Sequence, residues 1–216
     1  MNLLQWRPRA CHSLYPWLVQ ATLLVLFVAL AVVAHSLRSD PFDLWVTEHV
    51  QQWRSLDWPL SAASWPGYSP QDWLIDAAAV LCLLALGQRR ASALLLISVA
   101  GGGFLDQVVK LIVARPRPSG PQVHVVLHLE SYSYPSGHVV AYCSLFGFLA
   151  YLAWKEVRPR AARWMAVCVC AAPVLAVGPS RIYLGEHWAT DVLGGYLLGF
   201  LWLSTIVRLY TTRTNT

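Results

Sequence analysis

Apolar residues collect in six long stretches of this chain, at about 17–37, 74–87, 91–113, 138–154, 164–179 and 189–210. Each approaches the roughly 20 residues that an α-helix needs to cross the hydrocarbon core of a bilayer. The second and fifth are short and reach that length only with a turn from their flanks. The pattern predicts an all-α fold, a six-transmembrane-helix bundle forming a single domain over 1–216. Almost nothing is left for a soluble module. Arg7 and Arg9 precede the first stretch, and Ala29-Leu30-Ala31 mimics a signal-peptidase site. The apolar run is nevertheless longer than the roughly 7–15 residues of a signal peptide and is followed by further spans, so it is expected to remain as a helix.

The longest polar interval, about 38–73, is itself patterned. It holds Trp45, Trp53, Trp58, Trp65 and Trp73, five of the eleven tryptophans. Asp40-Pro41 combines a capping carboxylate with a proline at the first helical position. Phe42, Trp45, Val46, Val50 and Trp53 then recur at three- and four-residue steps, which predicts a helix lying in the membrane interface. The aromatic residues there are either a simple interfacial belt or a wall that guides a lipid tail.

Composition agrees with a membrane protein: 56% hydrophobic, 12% charged, mean hydropathy +0.47. Ten of the sixteen Lys and Arg residues lie in the N-terminal segment, the turns at 88–90 and 155–163, and the C-terminal tail. Arg38, Arg54, Lys110, Arg115, Arg117 and Arg181 lie in the other set of connections. The positive-inside rule puts the first set, with both termini, in the cytoplasm. The net charge of +5 reflects this bias, so no nucleic-acid partner is expected. The five cysteines, Cys11, Cys82, Cys143, Cys168 and Cys170, lie in or beside apolar helices without metal-like spacing and read as packing residues.

Three short motifs carry chemistry, and the predicted topology puts all of them on the outer face. His187 and Asp191 are four residues apart at the start of the last span, so a helix presents both on one side. The carboxylate there can fix the imidazole tautomer and leave the other nitrogen free to attack. Pro135-Ser136-Gly137-His138 reads as a helix start, where free amides and the dipole attract phosphate. A bound phosphate would help keep His138 protonated as a general acid. Lys110 and the stiff Arg115-Pro116-Arg117-Pro118 segment add cations suited to phosphate oxygens. Pairing of Lys110 with Asp106, one turn earlier, is the competing reading of that motif.

Taken together, Lys110 with Arg117-Pro118, then Pro135 to His138, then Ser180-Arg181 with His187 and Asp191, match K-x6-R-P, P-S-G-H and S-R-x5-H-x3-D at every fixed position. The chain resembles the type 2 phosphatidic acid phosphatase (PAP2) family of membrane lipid phosphatases, which shares its architecture with vanadium haloperoxidases and bacterial acid phosphatases. The resemblance implies that His187 attacks phosphorus to form a phosphohistidine and that Asp191 orients it. It implies that His138 protonates the leaving oxygen and then activates water. Lys110, Arg117, Ser136, Gly137 and Arg181 would hold the phosphoryl oxygens. No metal and no cofactor is implied. One departure is Glu186, where family members often carry an apolar residue; it adds a charge beside His187.

A metal phosphatase is a rival reading, with His124, His128, Glu130 and His138 as ligands, but nearby cations oppose it. A transporter or a non-catalytic lipid-binding scaffold is another; against it, the charges cluster at one membrane edge instead of lining a midplane path. A third reading keeps the phosphohistidine and passes phosphate to another lipid instead of water. The expected substrate is a lipid phosphate from the bilayer, with no obligate protein partner. Compact bacterial members that look like this chain often hydrolyse undecaprenyl diphosphate; phosphatidylglycerophosphate, phosphatidic acid and lipid A phosphates are the alternatives. The expected location is the bacterial inner membrane, with the site facing the periplasm.

Overall fold

A computed structural model describes residues 15–37 and 40–212. Arg7, Arg9, Arg38, Arg213 and Cys11, all used in the sequence reading, lie outside the described residues. The described chain is all helical. Five helices are long and apolar enough to cross a membrane: α1 (Tyr15–Ser36), α5 (Arg89–Val113), the run Gly137–Glu156, α8 (Arg160–Tyr183) and α9 (Ala189–Thr212). The run Gly137–Glu156 comprises α6 (Gly137–Tyr142), a π-helical turn at Cys143–Gly147 and α7 (Phe148–Glu156). At the second predicted span stands α4 (Gln71–Ala85), with 15 residues.

The two ends of the bundle differ. At one end, Arg90 and Lys155 both lie over the ring of Tyr210, 5.4 and 5.0 Å from its centroid. Arg208 lies over Trp17 at 4.3 Å, which brings the start of α1 to the same end. At the opposite end α5 stops where Ala114 takes a left-handed conformation, and the chain runs on through Arg115 to Pro118. All three motifs stand at that end.

Close packing of α9 on α6 sets the spacing there. A methyl group on Gly195 would come within 2.9 Å of the Ser136 carbonyl oxygen and of Val139 Cβ, and one on Gly199 within 2.6 Å of Cys143 Cβ. Small residues let the two backbones approach, as membrane bundles require. Polar ties reinforce the packing: Gln20 donates to Ser204 at 2.7 Å between α1 and α9, and Trp202 donates to the Ser98 carbonyl at 2.8 Å between α9 and α5.

The tryptophan-rich segment folds into α2 (Pro41–Val50) and α3 (Asp57–Ser64), with 3₁₀ turns at Arg54–Leu56 and Trp65–Gly67. Asp40 caps α2 by accepting from the Phe42 amide at 3.0 Å, with Pro41 at the first position, as its sequence predicts. The face turned toward the bundle is one that the apolar periodicity left unassigned. Phe42, Trp45 and Trp53 are exposed, while the buried stripe is Asp43, Thr47 and Val50. Asp43 turns inward because it finds charged and hydroxyl partners in the bundle, so burial costs it little. Helix α3 docks on α8, where Ser180 donates to the Leu60 carbonyl and its hydroxyl lies 2.5 Å from that of Ser64.

Candidate active site

His187 stands in the short link between α8 and α9 and is almost wholly buried. Its Nε2 lies 3.2 Å from Nη1 of Arg117. A guanidinium can only donate, so Nε2 is the accepting nitrogen and the ring proton sits on Nδ1. That Nδ1 faces Asp191 Oδ2 at 3.7 Å, longer than a hydrogen bond. Burial, followed by the charges of Arg117, Arg181 and Lys110, pushes the His187 pKa well below its ordinary value, while the Ser133 carbonyl opposes the shift. The imidazole is therefore neutral, with a lone pair turned toward a group of cations.

Asp191 is fixed from behind. Arg115 donates to Asp191 Oδ1 at 2.7 Å, and the Trp188 amide donates to Oδ2 at 2.9 Å. Arg115 also donates to Asp43 Oδ2 at 2.7 Å and to Thr190 at 2.6 Å, and Asp43 accepts the Thr190 amide at 2.8 Å. All four side chains are buried. This network ties α2 to the start of α9, and the fixed positions of the motifs do not include Asp43, Arg115 or Thr190. Their signals were Arg115 within R-P-R-P and a carboxylate just inside a capped helix; neither names its partner, which lies far off in sequence.

The phosphate-binding candidates converge from three segments. Ser136 occupies the position before α6 in extended backbone, but its hydroxyl does not cap that helix: Oγ is buried without a hydrogen-bond partner among the described residues. The Ser136 amide instead donates to the Asp191 carbonyl at 3.0 Å, pinning the start of α6 to α9. A methyl on Gly137 would come within 2.9 Å of Lys110 Nζ, so only glycine leaves that ammonium in place. Lys110 pairs with Asp106 at 2.7 Å, the competing reading of its sequence position. Arg117 is held by the Ser131 carbonyl at 2.7 Å and the Glu186 carbonyl at 2.6 Å.

His138 is half-buried beside these groups, within electrostatic reach of Arg181, His187, Lys110 and Arg117. Its Nε2 has no hydrogen-bond partner among the described residues. Tyr68 packs edge-on against its ring at 4.8 Å between centroids, and Gly67 lies against the same ring with no room for a side chain. Arg181, fully buried, pairs with Glu186 and donates to the Tyr68 hydroxyl at 2.8 Å. Tyr68 carried no sequence signal. The eight residues read from the motifs thus gather at one end of the bundle. His124, His128, Glu130 and His138 do not assemble as a metal site; among the described residues no three His, Cys, Asp or Glu side chains converge to hold an ion.

Known proteins match the part of the chain that carries these motifs. Residues 91–215 match the PAP2 superfamily. Phosphatidylglycerophosphatase B of Bacillus subtilis is 39% identical over 101 residues, covering 45% of this chain and 47% of that protein. An undecaprenyl-diphosphatase of Sulfolobus acidocaldarius is 32% identical over 127 residues, covering 57% of each. The matched segments thus span about half the length of these curated relatives. The crystal structure of a transmembrane PAP2-type phosphatidylglycerolphosphate phosphatase from Bacillus subtilis superposes with a TM-score of 0.78 at 24% identity, over 88% of this chain and 95% of that one. With the family match covering more than half of the chain, including every motif of the site, the protein belongs to the PAP2 superfamily.

Proposed function

We propose that this protein is a metal-independent membrane lipid phosphatase acting through a phosphohistidine, with undecaprenyl diphosphate as its substrate and undecaprenyl phosphate as its product. The observation that carries the chemistry is the His187–Arg117 contact, which turns an unprotonated Nε2 toward Arg117, with Arg181 and Lys110 within electrostatic reach. That lone pair forms the P–N bond as the bond to the leaving oxygen breaks, and His138 delivers a proton to that oxygen. Water, deprotonated by His138, then attacks phosphorus and releases inorganic phosphate from His187. Lys110, Arg117 and Arg181, with the Ser136 hydroxyl and the Gly137 backbone, stabilise the charge spread over the equatorial oxygens.

An apolar groove of about 600 Å³ supports a lipid substrate. Trp73, Val80, Leu96 and Phe146 line it, and it runs along α4 and α5 to Gly67, which touches His138. In this reading α4 completes six spans, both ends of the chain lie in the cytoplasm, and the site faces the outside of a bacterial inner membrane. Phosphatidylglycerophosphate is the second reading, favoured by the name of the 39% identical relative.

Replacing His187 by alanine is expected to abolish phosphate release while the protein still folds and inserts. Full activity in that variant rejects the nucleophile. A panel of undecaprenyl diphosphate, farnesyl diphosphate, phosphatidylglycerophosphate and lipid A decides the substrate; a higher kcat/KM for phosphatidylglycerophosphate selects the second reading.

A further inference from the structure

Two residues outside the fixed positions of the motifs hold the arginines of the site. The fork of Arg181 is engaged on both Nη atoms: one pairs with the Glu186 carboxylate, and the other donates to the Tyr68 hydroxyl at 2.8 Å. Tyr68 closes the ring by donating to Glu186 Oε1 at 2.5 Å. Arg181 Nε is left buried without a partner among the described residues. Glu186 also reaches the other arginine, since its main-chain carbonyl accepts from Arg117 Nη1 at 2.6 Å. Both guanidinium groups are thus fastened to the residue just before His187. Tyr68 meanwhile sets its ring against His138.

Electrostatics gives the carboxylate a purpose. Burial and the charge of Arg181 push the Arg117 pKa down, and Glu186 opposes that shift. Among the described residues, a neutral residue at 186 would leave buried Arg181 with only the Tyr68 phenol to face.

We infer that Tyr68 and Glu186 are positioning residues for phosphoryl transfer: their side chains lock Arg181 with its Nε–H free for a phosphoryl oxygen. The inference rests on the phosphatase reading above. It opposes a simpler view in which Glu186 is an anion that substrate must displace from Arg181. The two views predict opposite signs for loss of the carboxylate.

The test uses the full-length protein in detergent with Tyr68→Phe and Glu186→Gln. The first keeps the ring against His138 and removes the hydroxyl; the second keeps the shape and removes the charge. Each is expected to lower kcat at least about fivefold, on undecaprenyl diphosphate and on a short water-soluble prenyl diphosphate alike, because the lesion lies at the phosphoryl end. A smaller loss with Tyr68→Phe, or a loss confined to the long-chain substrate, overturns the proposal; the latter makes Tyr68 part of a lipid wall. Orthovanadate binding, followed by calorimetry, supplies a readout that needs no turnover. Both variants are expected to bind it at least about fivefold more weakly than the wild type. Equal or tighter binding by Glu186→Gln overturns the proposal and makes Glu186 a competitor. If Glu186→Gln does not fold, Tyr68→Phe decides alone. A wild type that binds vanadate yet releases phosphate from no lipid defeats the phosphatase reading, while the binding comparison still judges the positioning pair.

Discussion

At the scale of single residues, the state of His187 decides what the site can do. Its proton is assigned to Nδ1 because Arg117 can only donate to Nε2. Burial and three cations hold its pKa well below the usual 6.5. Nitrogen NMR of histidine-labelled protein at about pH 6 is expected to show this ring neutral, protonated on Nδ1 only. A doubly protonated His187 at that pH contradicts the assignment. The sign for stability follows: the unfolded chain takes up this proton as pH falls through about 6.5 and the native chain does not, so stability declines below that pH. The nearness of His187 to Asp191 was legible from their four-residue spacing, although His187 stands in the link before α9 instead of on the helix, and its Nδ1 lies 3.7 Å from Asp191 Oδ2. The Arg115–Asp43 pair was not, because an ion pair 72 positions apart leaves no local pattern.

Among the elements, α2 makes the buried contact that its sequence reading left unassigned. Its position and its cap were legible, since Asp40 and Pro41 act on the adjacent backbone. Its inward face was not, because hydrophobic periodicity is blind to a carboxylate that finds a buried arginine. Asp43→Ala leaves Arg115 partly uncompensated in the interior and is expected to cost about 3–5 kcal/mol, read from chemical denaturation in detergent. Asp43→Asn, which retains the carbonyl acceptor, is expected to cost less. A loss under about 1 kcal/mol for the alanine variant reduces α2 to an interfacial belt.

For the whole molecule, the polarity of the bundle is the main result. Basic turn residues gather around Tyr210 at one end and the motifs at the other, an asymmetry legible from the distribution of Lys and Arg. The length of α4 was less legible, because apolar content does not fix where its helix begins and ends. Single cysteines placed at Arg158 and at Gln122 are expected to react with a membrane-impermeant thiol reagent from opposite sides, Gln122 from outside. Reaction of both from one side rejects the topology. Phosphate release is also expected to be unchanged in EDTA, and its loss revives the metal reading.

The network behind Asp191 has a consequence for biosynthesis. Lys110, Arg117 and His138 precede His187 by tens of residues, and the carboxylate that faces His187 lies on α9, the last described helix. During synthesis most of the cationic cradle emerges first, and among the described residues Arg115 has only Asp43 as a charged partner until Asp191 arrives. A ribosome-bound intermediate stopped before α9 therefore holds Arg115 without its Asp191 partner. The charge network behind Asp191 closes only once the α9 segment has been made.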